Sequence, residues 1–406
     1  RNAAETVFDR TVERQGLNDV KDQMMNPLKH LTFGGRIYGD NLVAGKTYTG
    51  IYTDTDFKGW SLKSRKPAQE HQIRLALATL QCENPADWET MLNKTISKVQ
   101  TDKKAKQKTR QWWNSYWKRS YVFIDSGKIG SDYWKVGRNY QLFRYMLGCN
   151  AYGSEPTKFN GGLFTFDPVH IDSTRVFTPD FRLWGGGTMT AQNQRLVYFP
   201  MLKSGDFDMM KPQFDFYERM LDNAKLRTKV YWNHGGACFS EQIENFGLPN
   251  LAEYDWKPRH EGFPVGVDSN PWLEYTWDTA LEFALMMFDA HLYNNEPIVP
   301  HLPFIESLLT FFDEHYSYLA LRRGTNKLDG DGHLVLYPGS ACETYKMATN
   351  ATSTVAALKV ITEKLLELPE LYATQREHWS GFLKRIPPIS YREVQGKKTI
   401  SPAKMW

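Results

Sequence analysis

Glu343 has the sequence surroundings of a carboxyl that does chemistry. It follows Leu336-Tyr337-Pro338-Gly339-Ser340-Ala341-Cys342 and precedes a helix that the pattern opens near Thr352. A lone carboxyl among Pro, Gly, Ser, Ala and Cys does not belong to a solvated charge run. Apolar neighbours raise a carboxyl's pKa and suit it to donate a proton to a leaving oxygen. Glycosidic cleavage pairs such an acid with a second carboxylate. The same residue can equally cap a helix or brace a loop.

Other groups suit a polyhydroxylated ligand. Two glycine-rich, aromatic-flanked turns, Phe159-Asn160-Gly161-Gly162-Leu163-Phe164 and Trp184-Gly185-Gly186-Gly187, precede the polar run Gln192-Asn193-Gln194-Arg195. Glycines admit a ligand close to the backbone, rings offer flat apolar faces, and amides both donate and accept. Asn160, Trp184, Asn193 and Gln194 are the candidates there; the alternative is two ordinary loops of a helical protein. His234 and Glu241 lie within Tyr231-Trp232-Asn233-His234-Gly235-Gly236-Ala237-Cys238-Phe239-Ser240-Glu241. They can bind hydroxyls or simply satisfy a loop; a metal would need a third ligand that the spacing does not supply. Trp272, Glu274 and Trp277 open a long apolar helix, where they can stack on and hydrogen-bond a sugar or serve as core. Asp278 reads as a first-turn acid favoured by the helix dipole.

Composition narrows the classes. The 406 residues carry a net charge of +4, which is mild. The densest basic cluster, Lys103-Lys104-Ala105-Lys106-Gln107-Lys108, reads as a solvated helix, so no nucleic-acid partner is expected. Aromatics make up 14% of the chain, a surface that carbohydrate-handling proteins use and large helical cores use too. The four cysteines are widely spaced, which argues against a zinc site or a disulfide framework. No metal or other cofactor is expected. No apolar run reaches the roughly 18–20 residues of a membrane span. There is no P-loop, GxSxG, HExxH or GxGxxG opening a βαβ unit. A start at Arg1 and an end at Trp406 suggest a processed or truncated piece of a longer protein.

The elements that position these residues fall into two patterns. His71–Thr79 alternates apolar and polar positions and Thr47–Thr53 is rich in β-formers, with Gly34-Gly35 and Lys58-Gly59 as turns. Residues 1–92 are expected to be the C-terminal part of an antiparallel β-sandwich, and 93–109 a helical linker. From residue 110 the period becomes 3.6. Tyr133, Val136, Tyr140, Phe143 and Leu147 form one stripe; Leu281, Leu285, Phe288 and Leu292 another; Ile305, Leu308, Phe312 and Tyr316 a third; Val355, Leu358 and Leu365 lie on a fourth. Further helices are expected near Trp112–Phe123, Asn193–Leu202, Phe207–Arg227, Cys238–Asn245 and Glu370–Leu383. Many helices without intervening strands suggest an α/α bundle, solenoid or toroid.

Taken in order, these segments resemble the catalytic core of glycoside hydrolase family 95 and its Bacteroidetes relatives of unassigned function. Phe159–Phe164 resembles that family's Gln-Gly-Leu-Trp loop. Gln192-Asn193-Gln194-Arg195-Leu196-Val197-Tyr198-Phe199-Pro200 resembles its Asn-Thr-Gln-Met-Asn-Tyr-Trp-Pro segment, and Trp272–Trp277 its aromatic helix start. Ala341-Cys342-Glu343 resembles its Ser-Pro-Glu, whose glutamate is the general acid. The resemblance spans about residues 110–406. It implies a mainly α fold, an (α/α)6 toroid preceded by part of a β-sandwich and truncated at its C-terminal end. It implies an inverting hydrolase, secreted or periplasmic, acting on an oligosaccharide or polysaccharide of plant or host origin, fucoside- or galactoside-like. Glu343 would be the acid and Asn193 would hold the water; Ala191 stands where the family has a second asparagine. The family's aspartate base falls beyond Trp406. A glycan-binding protein without catalysis and a sugar phosphorylase are the alternatives on the same scaffold.

Overall fold

The computed structural model describes residues 5–124, 127–158, 173–174, 188–250, 254, 258–259, 261–372 and 375–406. The chain divides into two compact units. The first comprises Arg1–Asp9, Asn26–Arg119 and Phe164–Gly186; the second comprises Arg10–Met25, Ser120–Leu163 and Gly187–Trp406. Helix α1 (Glu5–Arg14) buries Phe8 and Val12.

In the first unit the expected antiparallel strands are present. β1 (Leu31–Tyr38), β2 (Leu42–Tyr52), β3 (Thr55–Ser64) and β4 (Arg74–Gln81) form two pairs, β1 with β4 and β2 with β3. Gly34-Gly35 and Lys58-Gly59, read as turns, lie inside strands instead. Gly35 faces Leu77, and a Cβ there would come 2.4 Å from the Ala76 carbonyl oxygen. Gly59 faces Tyr48, whose ring occupies the place a Cβ would take. These glycines make room for a neighbour rather than reversing the chain. The β2–β3 reversal falls at Thr53-Asp54, with Thr53 at φ 56°.

α2 (Pro85–Thr101) starts earlier than the linker pattern suggests, because Asn84 caps it and Pro85 fits its first turn. It packs against β4 and β1, with the Trp88 indole donating to Ala78 O at 3.0 Å. The chain breaks at Asp102, whose carboxylate accepts from Lys104 N, and resumes as α3 (Ala105–Arg119).

The second unit is mainly helical. On α4 (Asp132–Cys149) the apolar stripe reaches the buried face only at Leu147, with Tyr140 and Phe143 half-buried. Tyr133 and Val136 are exposed, whereas Gly137, Arg144 and Leu147 are buried. Arg144 turns inward because Asp206 meets it at 3.0 Å. β5 (Met189–Thr190) leads into α5 (Ala191–Ser204). The single helix expected over Phe207–Arg227 is a 3-10 turn followed by α6 (Lys211–Arg219) and α7 (Leu221–Trp232), broken at Met220. The helix expected over Cys238–Asn245 does not form; β6 (Gln242–Ile243) pairs with β5 there. Glu241 shows why: its N–H donates to Leu273 O and its carbonyl accepts from Ala191 N, so its backbone bonds leave the segment.

α8 (Pro271–Tyr275) and α9 (Asp278–Asn294) follow, then α10 (Leu302–Arg322), the hairpin β7 (Gly339–Ala341) and β8 (Tyr345–Ala348), α11 (Thr352–Glu367), α12 (Arg376–Arg385) and the hairpin β9 (Tyr391–Val394) and β10 (Lys397–Ile400). The α10 stripe is buried throughout, as are Val355, Leu358 and Leu365; on α9 Leu281 and Phe288 are buried but Leu292 is exposed. α9 packs against α5, α10 and α11; α10 touches α7, and α11 touches α12. Among the described residues no helix is long and apolar enough to cross a membrane.

An ion pair lies inside this core. Arg227 and Glu274 are fully buried, with Arg227 Nη2 at 2.9 and 3.1 Å from the two carboxylate oxygens. Removing one partner leaves an uncompensated buried charge. Glu274→Ala should therefore lower unfolding stability by about 3–5 kcal/mol, read by urea denaturation. A loss below about 1 kcal/mol, the range of an exposed pair, would contradict a core role.

Candidate functional site

A cavity of about 350 Å³ opens in the second unit where the first turns of three helices meet. Gln192 comes from α5, Asp278 and Thr279 from α9, and Thr352 and Ser353 from α11. Trp272 and Thr276 come from α8 and the turn after it, and Ala341 and Cys342 from the β7–β8 hairpin. Ser401 and Pro402 close one side, tied to Thr352 by backbone and hydroxyl bonds at 2.8 and 2.6 Å. Deeper along α9 the wall carries Glu282, which meets Arg195 of α5 at 2.6 Å.

Two carboxyls face this cavity four positions apart on one helix, so they share a face. Asp278 is buried, and burial raises its pKa; Ser353 and Thr354 hydroxyls donate to it and pull the other way without prevailing. Glu282 is also pushed up, first by burial and further by the Asp278 charge, and Arg195 opposes that shift. Both carboxyls are thus pushed toward their protonated forms, and one of them is ion-paired. Gln192 adds an amide that donates and accepts; the hydroxyls of Thr276, Thr279 and Ser353 already donate to Trp272 O, Thr276 O and Asp278, and their oxygens remain as acceptors for a hydroxyl-rich ligand.

The expected site residues scatter. Asn160 and Trp184, with their glycine turns, lie outside the described residues. Trp272 lines the cavity. Asn193 is half-buried on α5 between cavity-lining Gln192 and Gln194. Gln194 is buried, its amide nitrogen against Met189 Sδ at 3.6 Å. Glu241 is buried behind the wall, accepting the Gln192 N–H at 2.8 Å.

Glu274 is the buried partner of Arg227 and also accepts from Asp268 N, so it is not placed to bind a sugar. Trp277 is packed among Trp232, Phe311 and His315 instead of facing the cavity. His234 lines a different cavity, of about 550 Å³, with Glu314, Tyr318 and Arg385.

Glu343 sits at the exposed tip of the β7–β8 hairpin, beside cavity-lining Cys342. Its small flanking residues do not surround it. Ala341 packs with Ala348, Ala351 and Ala403, and the Ser340 hydroxyl donates to Pro271 O. Cys342 at φ 57° turns the chain so that the next side chain points to solvent.

Asp278, Glu282, Arg195 and Ser353 gather here although no sequence motif joins them. The i,i+4 spacing of Asp278 and Glu282 was the available signal; the contribution of α5 and α11 had none.

Residues 1–122 match the N-terminal model of a family described as a domain of unknown function (DUF5703). No curated protein matches the chain. The matched segment ends before every residue of this cavity.

His234 also carries a testable pair. Its Nδ1 lies 2.8 Å from Gly235 O, which can only accept, so that nitrogen is assigned the proton. Its Nε2 then accepts from His315 Nδ1 at 2.9 Å. Burial lowers the pKa of His234 and lowers that of His315 well below the ordinary range. Groups depressed in the folded state stabilise it above the unfolded value, about 6.5, and lose that contribution as pH falls below it. The urea midpoint should fall between about pH 7 and 5, and His315→Phe should flatten that slope; an unchanged slope would show that the pair does not titrate this way.

Proposed function

We propose that the second unit binds a sugar in the three-helix cavity and hydrolyses its glycosidic bond. The observation that carries this reading is Asp278, a buried carboxyl with a raised pKa opening onto a cavity lined with hydroxyls, an amide and Trp272. A carboxyl whose pKa burial raises can protonate a departing glycosidic oxygen. Glu282, ion-paired with Arg195, is the second carboxylate and activates water.

The resemblance to glycoside hydrolase family 95 supports the same reaction class and an inverting course. It also supports completion of the helical part as an (α/α)6 toroid behind a partial β-sandwich. On this reading the base lies within the chain and the proton donor is Asp278 in place of Glu343. The substrate is an oligosaccharide or polysaccharide of plant or host origin.

The full chain should release sugar from members of a glycan library, with NMR giving the anomer formed first. Asp278→Asn should lower kcat by about 10²–10⁴ with the fold retained. Glu343→Gln should lower it less than about tenfold, below the range of a lost general acid. Collapse of activity in Glu343→Gln alone would return the acid role to Glu343. Sugar binding without turnover by any glycan would replace the hydrolase with a glycan-binding protein on the same scaffold.

A further inference from the structure

Arg195 is the one cation among the described residues that line the cavity. It stands four positions beyond Ala191 on α5, its side chain 35% exposed. Its Nη1 lies 2.6 Å from Glu282 Oε1, a short charge-assisted hydrogen bond. Asp278, one turn earlier on α9, is held otherwise: Thr354 Oγ1 donates to its Oδ2 at 3.2 Å, and Ser353 donates as well.

The remaining neighbours supply no second cation at the wall. From α10, Tyr316 is raised by burial and then by the Asp278 charge, while its hydroxyl donates to Pro338 O at 2.8 Å. From the β7–β8 hairpin come Cys342 and Tyr345. α11 contributes only Thr352 and Ser353 to the lining, its Lys364 pairing with Asp289 farther along α9.

The geometry points to Arg195 as the positioning residue of the cavity: it fixes Glu282 in an ion pair, while the hydroxyls of α11 hold Asp278. Two carboxyls one helical turn apart in a partly buried site repel when both ionise, so such a pair tends to share a proton. A guanidinium bound to one of them breaks that equivalence. Glu282 becomes the fixed charge, and Asp278 becomes the group that holds a proton. This assignment rests on reading the cavity as an acid–base site, and its test does not depend on turnover.

The test is a ¹³C NMR titration of the two side-chain carboxyls in the full chain, for the wild type, Arg195→Met and Arg195→Lys. Glu282 should ionise before Asp278 in the wild type. In Arg195→Met the Glu282 midpoint should rise by about one unit or more, since an adjacent opposite charge lowers a carboxyl by about 1–3 units. Arg195→Lys should restore most of the difference. An unmoved Glu282 midpoint in Arg195→Met overturns the assignment, and so does a wild type in which Asp278 ionises first.

If Arg195→Met does not fold, Glu282→Gln decides the matter. It frees the guanidinium and removes the like charge, so Asp278 should titrate lower than in the wild type; no movement overturns the assignment. Absence of hydrolysis with these shifts intact would sink the enzymatic reading alone. Hydrolysis with unmoved midpoints would sink this assignment alone.

Discussion

The buried Arg227–Glu274 pair is the interaction on which the helical half of the molecule depends. Taking two charges out of water costs several kcal/mol for each ion, and only close geometry with further hydrogen bonds offsets it. Here Arg227 also donates to Gly266 O at 2.8 Å and meets Cys238 Sγ at 3.1 Å, while Glu274 accepts from Asp268 N at 2.7 Å. One ion pair therefore joins α7, the segment around Cys238, the turn at Gly266–Asp268 and α8. Arg227 Nε finds no partner among the described residues, so the network is strong without being fully satisfied.

That anchoring fixes the wall of the cavity. α8 has only five residues and packs against β7 and β8, and the side chain of Glu274 ties it to Arg227 of α7. Trp272 and Thr276, on either side of Glu274, then face the opening, and α9 begins at Asp278. Glu241 braces the opposite wall: its side chain takes the Gln192 N–H while its own N–H reaches Leu273 O. Both glutamates that their sequence setting marks as sugar ligands are thus structural, and they position the residues that do face the cavity.

Helices with continuous apolar stripes were legible, since α10 and α11 bury the residues that their period selects. α4 was not, because a buried Arg144 paired with Asp206 outweighs an exposed Tyr133 and Val136 in setting which face turns inward. Glycine pairs in the first unit misled for a related reason. Gly35 and Gly59 leave space for groups of a partner strand, far along the chain for Gly35 and across the next hairpin for Gly59. Of the cavity, Trp272, the polar run containing Gln192 and Arg195, and the i,i+4 spacing of Asp278 and Glu282 could be read locally.

The contrast between Glu343 and Asp278 locates what a local reading lacks. A carboxyl's pKa is set by the atoms within a few ångströms of it, chiefly by how much water they displace and which donors they offer. Around Glu343 the sequence neighbours are apolar, yet they pack on the far side of a hairpin and leave the carboxyl in water. Around Asp278 they look like an ordinary helix start, yet α11 brings Ser353 and Thr354 against it and α5 brings Arg195, both from far along the chain. Burial of an acid at a helix N-terminus, where an exposed carboxylate would be stabilised as an anion, is a cost the fold accepts at the cavity. A carboxyl held at such a cost, open to a cavity on one side, is better placed to give up a proton than one on a solvated hairpin.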